Sequence, residues 1–324
     1  MIIGGAEDKL RKRTVLTEFV RAAGGEHARI AVVPTASSLG PEVVEVYDAL
    51  FRRLGAAEVV SARPQNRDDA HDPAYVELID QATGIFMTGG NQLKLSGVVS
   101  GTPFGDAIKA AHQRGVVVGG TSAGASIQSS HMVAFGVGGA TPKQRMTQVA
   151  AGLGLLDSCV IDQHFDQRNR YGRLLMIVAQ SPQLLGIGVD EDTAAVVTFE
   201  DGGQTLSVIG RGSVTIFDPS RVITNAHEAP RSRPLLASGI VLHVLPEGQQ
   251  FDLVERRLVV QEPEIDPAEA AEIAAASQDL RRMALDIAAA DASPSVLRRR
   301  IAGMSRRRAA AGNATGNVET GATE

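Results

Sequence analysis

The chain has no tryptophan, three tyrosines and one cysteine in 324 residues. A single cysteine, Cys159, excludes an internal disulfide, and a lone cysteine is usually just a small buried apolar residue. Long hydrophobic runs are also missing: no stretch approaches the roughly 18 apolar residues of a membrane span. Met1-Ile2-Ile3-Gly4-Gly5 has neither the basic start nor the long apolar segment of a secretion signal, so a soluble, cytoplasmic protein is expected. Positive charge is not in excess. With 32 Lys and Arg against 37 Asp and Glu, the net charge of −5 argues against a general nucleic-acid binder. What the chain does have is 34 glycines and an apolar fraction of 44%, enough for one large α/β domain with an appendage or for two modest domains.

Its most telling stretch is Val116-Val117-Val118-Gly119-Gly120-Thr121-Ser122-Ala123-Gly124-Ala125-Ser126. The β-branched run reads as a strand buried on both faces. It enters Gly120-Thr121-Ser122-Ala123-Gly124, which fits the G-x-S-x-G nucleophile elbow, and then the start of a small-residue helix. A serine on so sharp a turn sits in strained backbone, so the residues two places either side must lack bulk. The five-residue pattern is weak alone, because a plain tight turn has the same composition. The strand before it and the helix after it favour a catalytic serine whose oxyanion would face the helix N-terminus.

In chain order, strands are expected at Ile2-Ile3, Arg29 to Pro34, Glu58 to Val60, Gly84 to Gln92 and before the elbow. Helical spacing falls at Thr14 to Ala22, Glu42 to Leu54, Asp72 to Gln81 and Gly105 to Gln113, with Asp72-Pro73 as a cap and first-turn proline. The alternation predicts a doubly wound, mostly parallel sheet with flanking helices. Active sites of such sheets lie beyond the strands' C-terminal ends, where Gly89-Gly90 and Ser122 can meet. Later come a strand at Ser158 to Ile161, a helix at Leu174 to Ala179, and short strands between Gly186 and Val260 that predict an antiparallel flank. Asp266-Pro267-Ala268-Glu269 reads as a capping box opening an alanine-rich helix to about Ala290, with Ile273, Leu280 and Ile287 on one stripe. That stripe packs on its own domain or on a partner helix. Arg298 to Arg300 and Arg306 to Arg308 are basic runs, commonly just a solvated tail, and residues 309–324 have a disordered composition. The division expected is 1–262 for the catalytic domain and 263–324 for a helical appendage.

A serine nucleophile needs a base and an acid to orient it. His27, His71 and His112 read as surface residues, His131 as lying near the far end of the elbow helix, His227 as a loop residue, and His243 as a satisfied core histidine. His164 follows a buried strand within Asp162-Gln163-His164-Phe165-Asp166, the position where this fold places function. For the acid, Asp190-Glu191-Asp192 ends another strand. An acidic β-turn with solvated side chains would look the same, and the residues alone do not choose among the three.

Gly-Gly-Thr-Ser-Ala-Gly-Ala at 119–125, Asp-Gln-His-Phe at 162–165 with arginines at 168, 170 and 173, and Gly-Val-Asp-Glu-Asp-Thr-Ala at 188–194 resemble the cyanophycinase family. That family is grouped with the S51 serine peptidases and related to aspartyl dipeptidase (peptidase E). The resemblance runs from Ile2-Ile3-Gly4-Gly5-Ala6-Glu7-Asp8-Lys9 to about Val260. It implies a class I glutamine amidotransferase-like fold, with Ser122 as nucleophile, His164 as base and Glu191 as acid. It implies oxyanion donors at the N–H groups of Gly90 and Ala123, and substrate contacts at Gln92, Asp162, Gln163, Arg168, Arg170 and Arg173. The implied substrate is cyanophycin, a poly-aspartate bearing arginine on each β-carboxyl, cut from an end to β-Asp-Arg. No metal or organic cofactor is implied, and a homodimer is expected.

Planar guanidinium groups suit the carboxylates of such a polymer end, and Asp162 or Gln163 could accept from its arginines. The helix and Arg-rich tail after about residue 263 depart from the family pattern. Two other readings remain: an S51 peptidase for small aspartyl or isoaspartyl dipeptides, and a non-catalytic binding protein of the same fold. The arginines after His164 favour the polymer, and the presence of all three triad members disfavours the binding protein. A serine at 122, where ammonia-generating amidotransferases have cysteine, argues against that activity.

Overall fold

Five short hydrophobic runs from the N-terminal half line up as neighbouring strands. The computed structural model describes residues 1–200, 202–260 and 267–288. The chain begins with β1 (Ile2–Ile3), α1 (Thr14–Ala22), β2 (Arg29–Val33), α2 (Glu42–Arg53), β3 (Glu58–Ser61), α3 (Pro73–Asp80) and β4 (Gly84–Met87). It continues with α4 (Gln92–Val99), α5 (Pro103–Gln113), β5 (Val117–Thr121) and the one-turn α6 (Ala123–Ser126). Strands β1, β5, β4, β2 and β3 lie side by side in that order, all parallel.

Alternation along the strands decides which helices cover which face. Ala31, Val33, Ile85 and Met87 point to one side and pack with Ile79, Leu95, Phe104 and Ile108 of α3, α4 and α5. Ile30, Val32 and Phe86 point to the other, against Leu16, Phe19 and Phe51 of α1 and α2. The Asp72 side chain accepts from Ala74 N–H at the start of α3, as the Asp-Pro pair predicts. Helix α4 is not among the predicted elements. The strand before it stops at Met87, and Asn91 caps the helix by accepting from Leu93 and Lys94 N–H.

After α6 come β6 (His131–Gly136), β7 (Thr147–Ala151), β8 (Cys159–Gln163), α7 (Tyr171–Gln180), β9 (Leu185–Val189), β10 (Thr193–Glu200) and β11 (Gly203–Gly210). Then follow β12 (Ser213–Asp218), β13 (Ile223–Thr224), β14 (Ala237–Ser238), β15 (Val241–Pro246), β16 (Gln250–Asp252), β17 (Arg257–Val259) and α8 (Pro267–Ala288). The expected antiparallel flank divides between two places. Strands β10, β11, β16 and β17 extend the first sheet antiparallel from β1, giving the order β17-β16-β11-β10-β1-β5-β4-β2-β3. Strands β8 and β9, paired in parallel around α7, join β12 and β15 in a separate four-stranded sheet. The hairpin β6–β7 stands apart from both. His131 opens this hairpin instead of lying near a helix end, because α6 is only four residues long.

Met1–Val260 forms one compact unit, and α8 belongs to a second that starts at Gln261. On α8, Ile273 and Leu280 are exposed. Asp266 of the predicted capping box, the Ile287 side chain, both arginine runs and residues 309–324 lie outside the described residues. Among the described residues, no helix is long and apolar enough to cross a membrane.

Candidate active site

Strand β5 ends at Thr121, and the chain turns at once. Ser122 has φ 53° and ψ −106°, a conformation that L-residues other than glycine rarely adopt. The flanking glycines make it possible: a Cβ on Gly120 would fall 2.1 Å from the Gly124 carbonyl oxygen, and one on Gly124 2.2 Å from that of Met87. Backbone bonds hold the turn on both sides. Ser122 N–H donates to Ile3 O at 3.0 Å, while Ala125 and Ser126 N–H donate to Ser122 O.

Above this turn, Ser122 Oγ lies 3.0 Å from His164 Nε2, and His164 Nδ1 lies 2.6 Å from Glu191 Oε1. Both partners come from the second sheet. Strands β8 and β9 pair in register with Gln163 opposite Val189, so His164 and Glu191 leave neighbouring strand ends on the same side. His164 N–H donates to Gly4 O at 2.8 Å, and its imidazole rests on Gly5. Gly5 has φ 101°, and a Cβ there would lie 2.3 Å from the ring's Cε1; only glycine fits. With Nδ1 facing a carboxylate, the neutral ring carries its proton there and offers Nε2 as acceptor to the serine hydroxyl. Burial pushes the His164 pKa below its ordinary value, and the Arg168 and Arg170 charges add to this against the opposing pull of Glu191. The lowered pKa favours the neutral imidazole, the form that can accept a proton.

The two other carboxylates of the acidic turn have separate tasks. Asp190 accepts from Asp166 N–H and from the N–H and hydroxyl of Ser213, and Asp192 accepts from Asp8 N–H at 2.7 Å. They brace the turn and leave Glu191 to the imidazole. The other histidines take no part in this arrangement. His243 differs from the expected satisfied core residue: its buried Nε2 has no hydrogen-bond partner among the described residues, and its ring packs edge-on against Phe251.

Gly89 lies beside the serine, an added Cβ there falling 3.9 Å from Ser122 Oγ. Gly90 has φ 143°, and a side chain there would strike Ala36 O. Neither the Gly90 nor the Ala123 N–H donates a backbone bond outside regular elements among the described residues.

The polar residues around His164 divide by exposure. Asp162 has no exposed surface, and its carboxylate is held by Arg173 (Nε to Oδ2, 2.6 Å, and a second bond from Nη2) and by Arg170 Nη1 at 3.1 Å. Arg170 also donates to the Gln163 carbonyl and, at 2.9 Å, to its side-chain oxygen. Burial pulls the Arg170 pKa down to about 10. Asp162 and Arg173, both among the expected substrate contacts, thus face each other inside the protein. A two-pronged ion pair already joins them inside the protein, because two unpaired charges at that depth would be far costlier. Arg168 is exposed and has no ion-pair partner among the described residues. Gln92 opens α4 and donates Nε2 to Val133 O of β6 at 2.6 Å, so its carbonyl oxygen is left as an acceptor.

Glu7, for which the sequence alone indicates no role of its own, lies in the loop after β1. Glu7 is buried and accepts from Thr121 Oγ1, Tyr47 OH and Lys9 Nζ, each at 2.6 Å. The available signal was positional, since this loop also follows the C-terminal end of a parallel strand. Among the described residues, no group of three or more His, Cys, Asp or Glu side chains is arranged to hold a metal ion.

A strained serine turn and an imidazole oriented by a carboxylate form a set suited to acyl transfer from an amide. The model of peptidase family S51 matches residues 1–205. A cyanophycinase of Nostoc sp. is 40% identical over 261 residues, covering 80% of this chain and 87% of that protein. One of Synechococcus elongatus is 41% identical over 255 residues, 78% of each chain. Among solved structures, a peptidase from an acI-B1 Actinobacterium superposes with a TM-score of 0.52 at 24% identity, covering 74% of this chain and 95% of that one; it bears on the fold alone. Geometry built for acyl transfer thus coincides with a family match over more than half the length, and the chain belongs to peptidase family S51.

Proposed function

We propose that this protein is a serine-type exopeptidase that hydrolyses cyanophycin, multi-L-arginyl-poly-L-aspartate, to β-Asp-Arg dipeptides. The hydrogen-bonded chain Ser122–His164–Glu191 supports the hydrolysis, and the 40% identity to curated cyanophycinases supports the substrate. Ser122 Oγ attacks the scissile carbonyl as its proton passes to His164 Nε2, and Glu191 stabilises the resulting imidazolium. The oxyanion is met by the N–H groups of Gly90 and Ala123. His164 then protonates the leaving amine, water attacks the acyl-enzyme through the same base, and Ser122 is regenerated.

Arg168, free and exposed, is assigned to a terminal carboxylate of the polymer. Gln92 offers an acceptor for a substrate guanidinium. Asp162, Gln163, Arg170 and Arg173 form a mutually bonded cluster around the strand end that carries His164. The reading also includes a class I glutamine amidotransferase-like fold, residues 1–262 as the catalytic domain with 263–324 as an appendage, a cytoplasmic homodimer, and no nucleic-acid partner.

The test is to incubate purified protein with insoluble cyanophycin and identify soluble products by mass, with Ser122→Ala alongside. β-Asp-Arg released by the wild type alone is the expected result. Cleavage of small isoaspartyl dipeptides without release from the polymer would transfer the proposal to that substrate class.

A further inference from the structure

The buried Glu7 carboxylate lies outside the Ser122–His164–Glu191 chain yet is bonded to the residue next to its serine. Glu7 is 4% exposed. Its Oε2 accepts from Thr121, the last residue of β5 and the peptide neighbour of Ser122, while its Oε1 accepts from Tyr47 of α2 and from Lys9. Burial acts against the charge, but the Lys9 ammonium and the bonds from Lys9, Thr121 and Tyr47 outweigh it and hold Glu7 below the ordinary carboxylate range. Charge-assisted bonds from three separate segments leave this side chain little freedom.

The loop that carries Glu7, with the end of β1 before it, bonds to the backbone of Ser122 and His164 and to Asp192, the neighbour of Glu191. Ile3 O accepts from Ser122 N–H, Gly4 O from His164 N–H, and Gly5 O from Asp192 N–H, while Asp8 N–H donates to the Asp192 side chain. Ser122 follows β5 of the first sheet, and His164 and Glu191 follow β8 and β9 of the second. Their alignment therefore depends on whatever joins the sheets at this point.

We propose that Glu7 is a positioning residue: its carboxylate, fixed by Thr121, Tyr47 and Lys9, sets the orientation of the Ser122 turn against His164 through the Gly4–Asp8 loop. Glu7 touches no reacting atom and is not a catalytic residue. The proposal rests on the reading of Ser122 as nucleophile.

Two measurements test it on the full-length protein: steady-state hydrolysis of cyanophycin, and the rate at which a small neutral fluorophosphonate labels Ser122. In Glu7→Gln both kcat and the labelling rate are expected to fall by about 10- to 100-fold with KM nearly unchanged, since sub-ångström misplacement acts on the chemical step. Thr121→Val should behave in the same way. Thr121→Ser, which keeps the hydroxyl, should restore most of the rate, a rescue that loss of packing alone would not produce. If Glu7→Gln does not fold, the Thr121 pair carries the test. Wild-type labelling at Ser122 with unchanged rates in Glu7→Gln and Thr121→Val would overturn the positioning role alone. Absence of labelling in the wild type would overturn it together with the nucleophile assignment.

Discussion

At the end of β5 the special backbone residues are neighbours: Gly120, Ser122 and Gly124 lie within five positions, and Ala125 and Ser126 bond to Ser122 O, with one distant bond from Ser122 N–H to Ile3 O. The end of β8 is built otherwise. His164 also has a positive φ, 47°, but no glycine flanks it within two positions. It is held by Gly4 and Gly5 from the other end of the sequence and by Glu191 from the next strand. Strain at one site is absorbed locally, and at the other by long-range contacts. The serine side can therefore be damaged by a change in its own turn as well as through Ile3 and Glu7, whereas the imidazole side rests on distant residues.

The largest effect expected is chemical. Ser122→Ala should lower product release from cyanophycin by about 10^6-fold, to the background left by binding and the oxyanion donors, with an unchanged melting temperature. Unfolding, or retention of most activity, would remove Ser122 from its proposed role. Glu191→Gln should lower kcat by about 10^3- to 10^4-fold, because the wrong imidazole tautomer is then favoured. Asp190→Asn, on the same turn, should act mainly on stability, and comparing kcat with the denaturation midpoint for the two variants separates the jobs the structure gives them.

Asp162→Asn sharpens the contrast between support and contact. It leaves Arg173 and Arg170 without their buried counter-charge, so unfolding in urea should show a loss of about 3 kcal/mol. A rise in KM with no loss of stability would instead return Asp162 to the substrate wall. The smallest effect is electrostatic. His164 must be neutral to act, and its lowered pKa keeps it so to more acidic pH than an ordinary imidazole; activity is lost as pH falls through that pKa. Arg168→Gln removes a positive charge that opposes the imidazolium, so the pKa rises and the acid limb of Ser122 labelling should move a few tenths of a unit toward higher pH. Because Arg168 is exposed, salt should shrink the difference. A limb that moved the other way would contradict this account.

Much of this was already legible in the residues. The alternation of β-branched runs with 3.6-residue spacing carries the parallel half of the first sheet, and the i±2 glycines mark the serine turn, because both are local patterns. Three features were not legible. Strands β8 and β9 leave the first sheet for a second one, and period-2 alternation says only that a strand is covered, not which sheet it joins. Among Asp190, Glu191 and Asp192, the residues alone left the choice open, since only the positions of Asp8, Asp166 and Ser213 occupy the first and last of them. For Arg170 and Arg173 the family resemblance implies substrate contact, and no neighbouring residue marks a buried partner. Their burial on Asp162 follows from where α7 packs after β8, and the energy of burying a charge depends on what the fold places around it. Local backbone preference is written in neighbouring residues; charge pairing and sheet membership are contacts between distant ones.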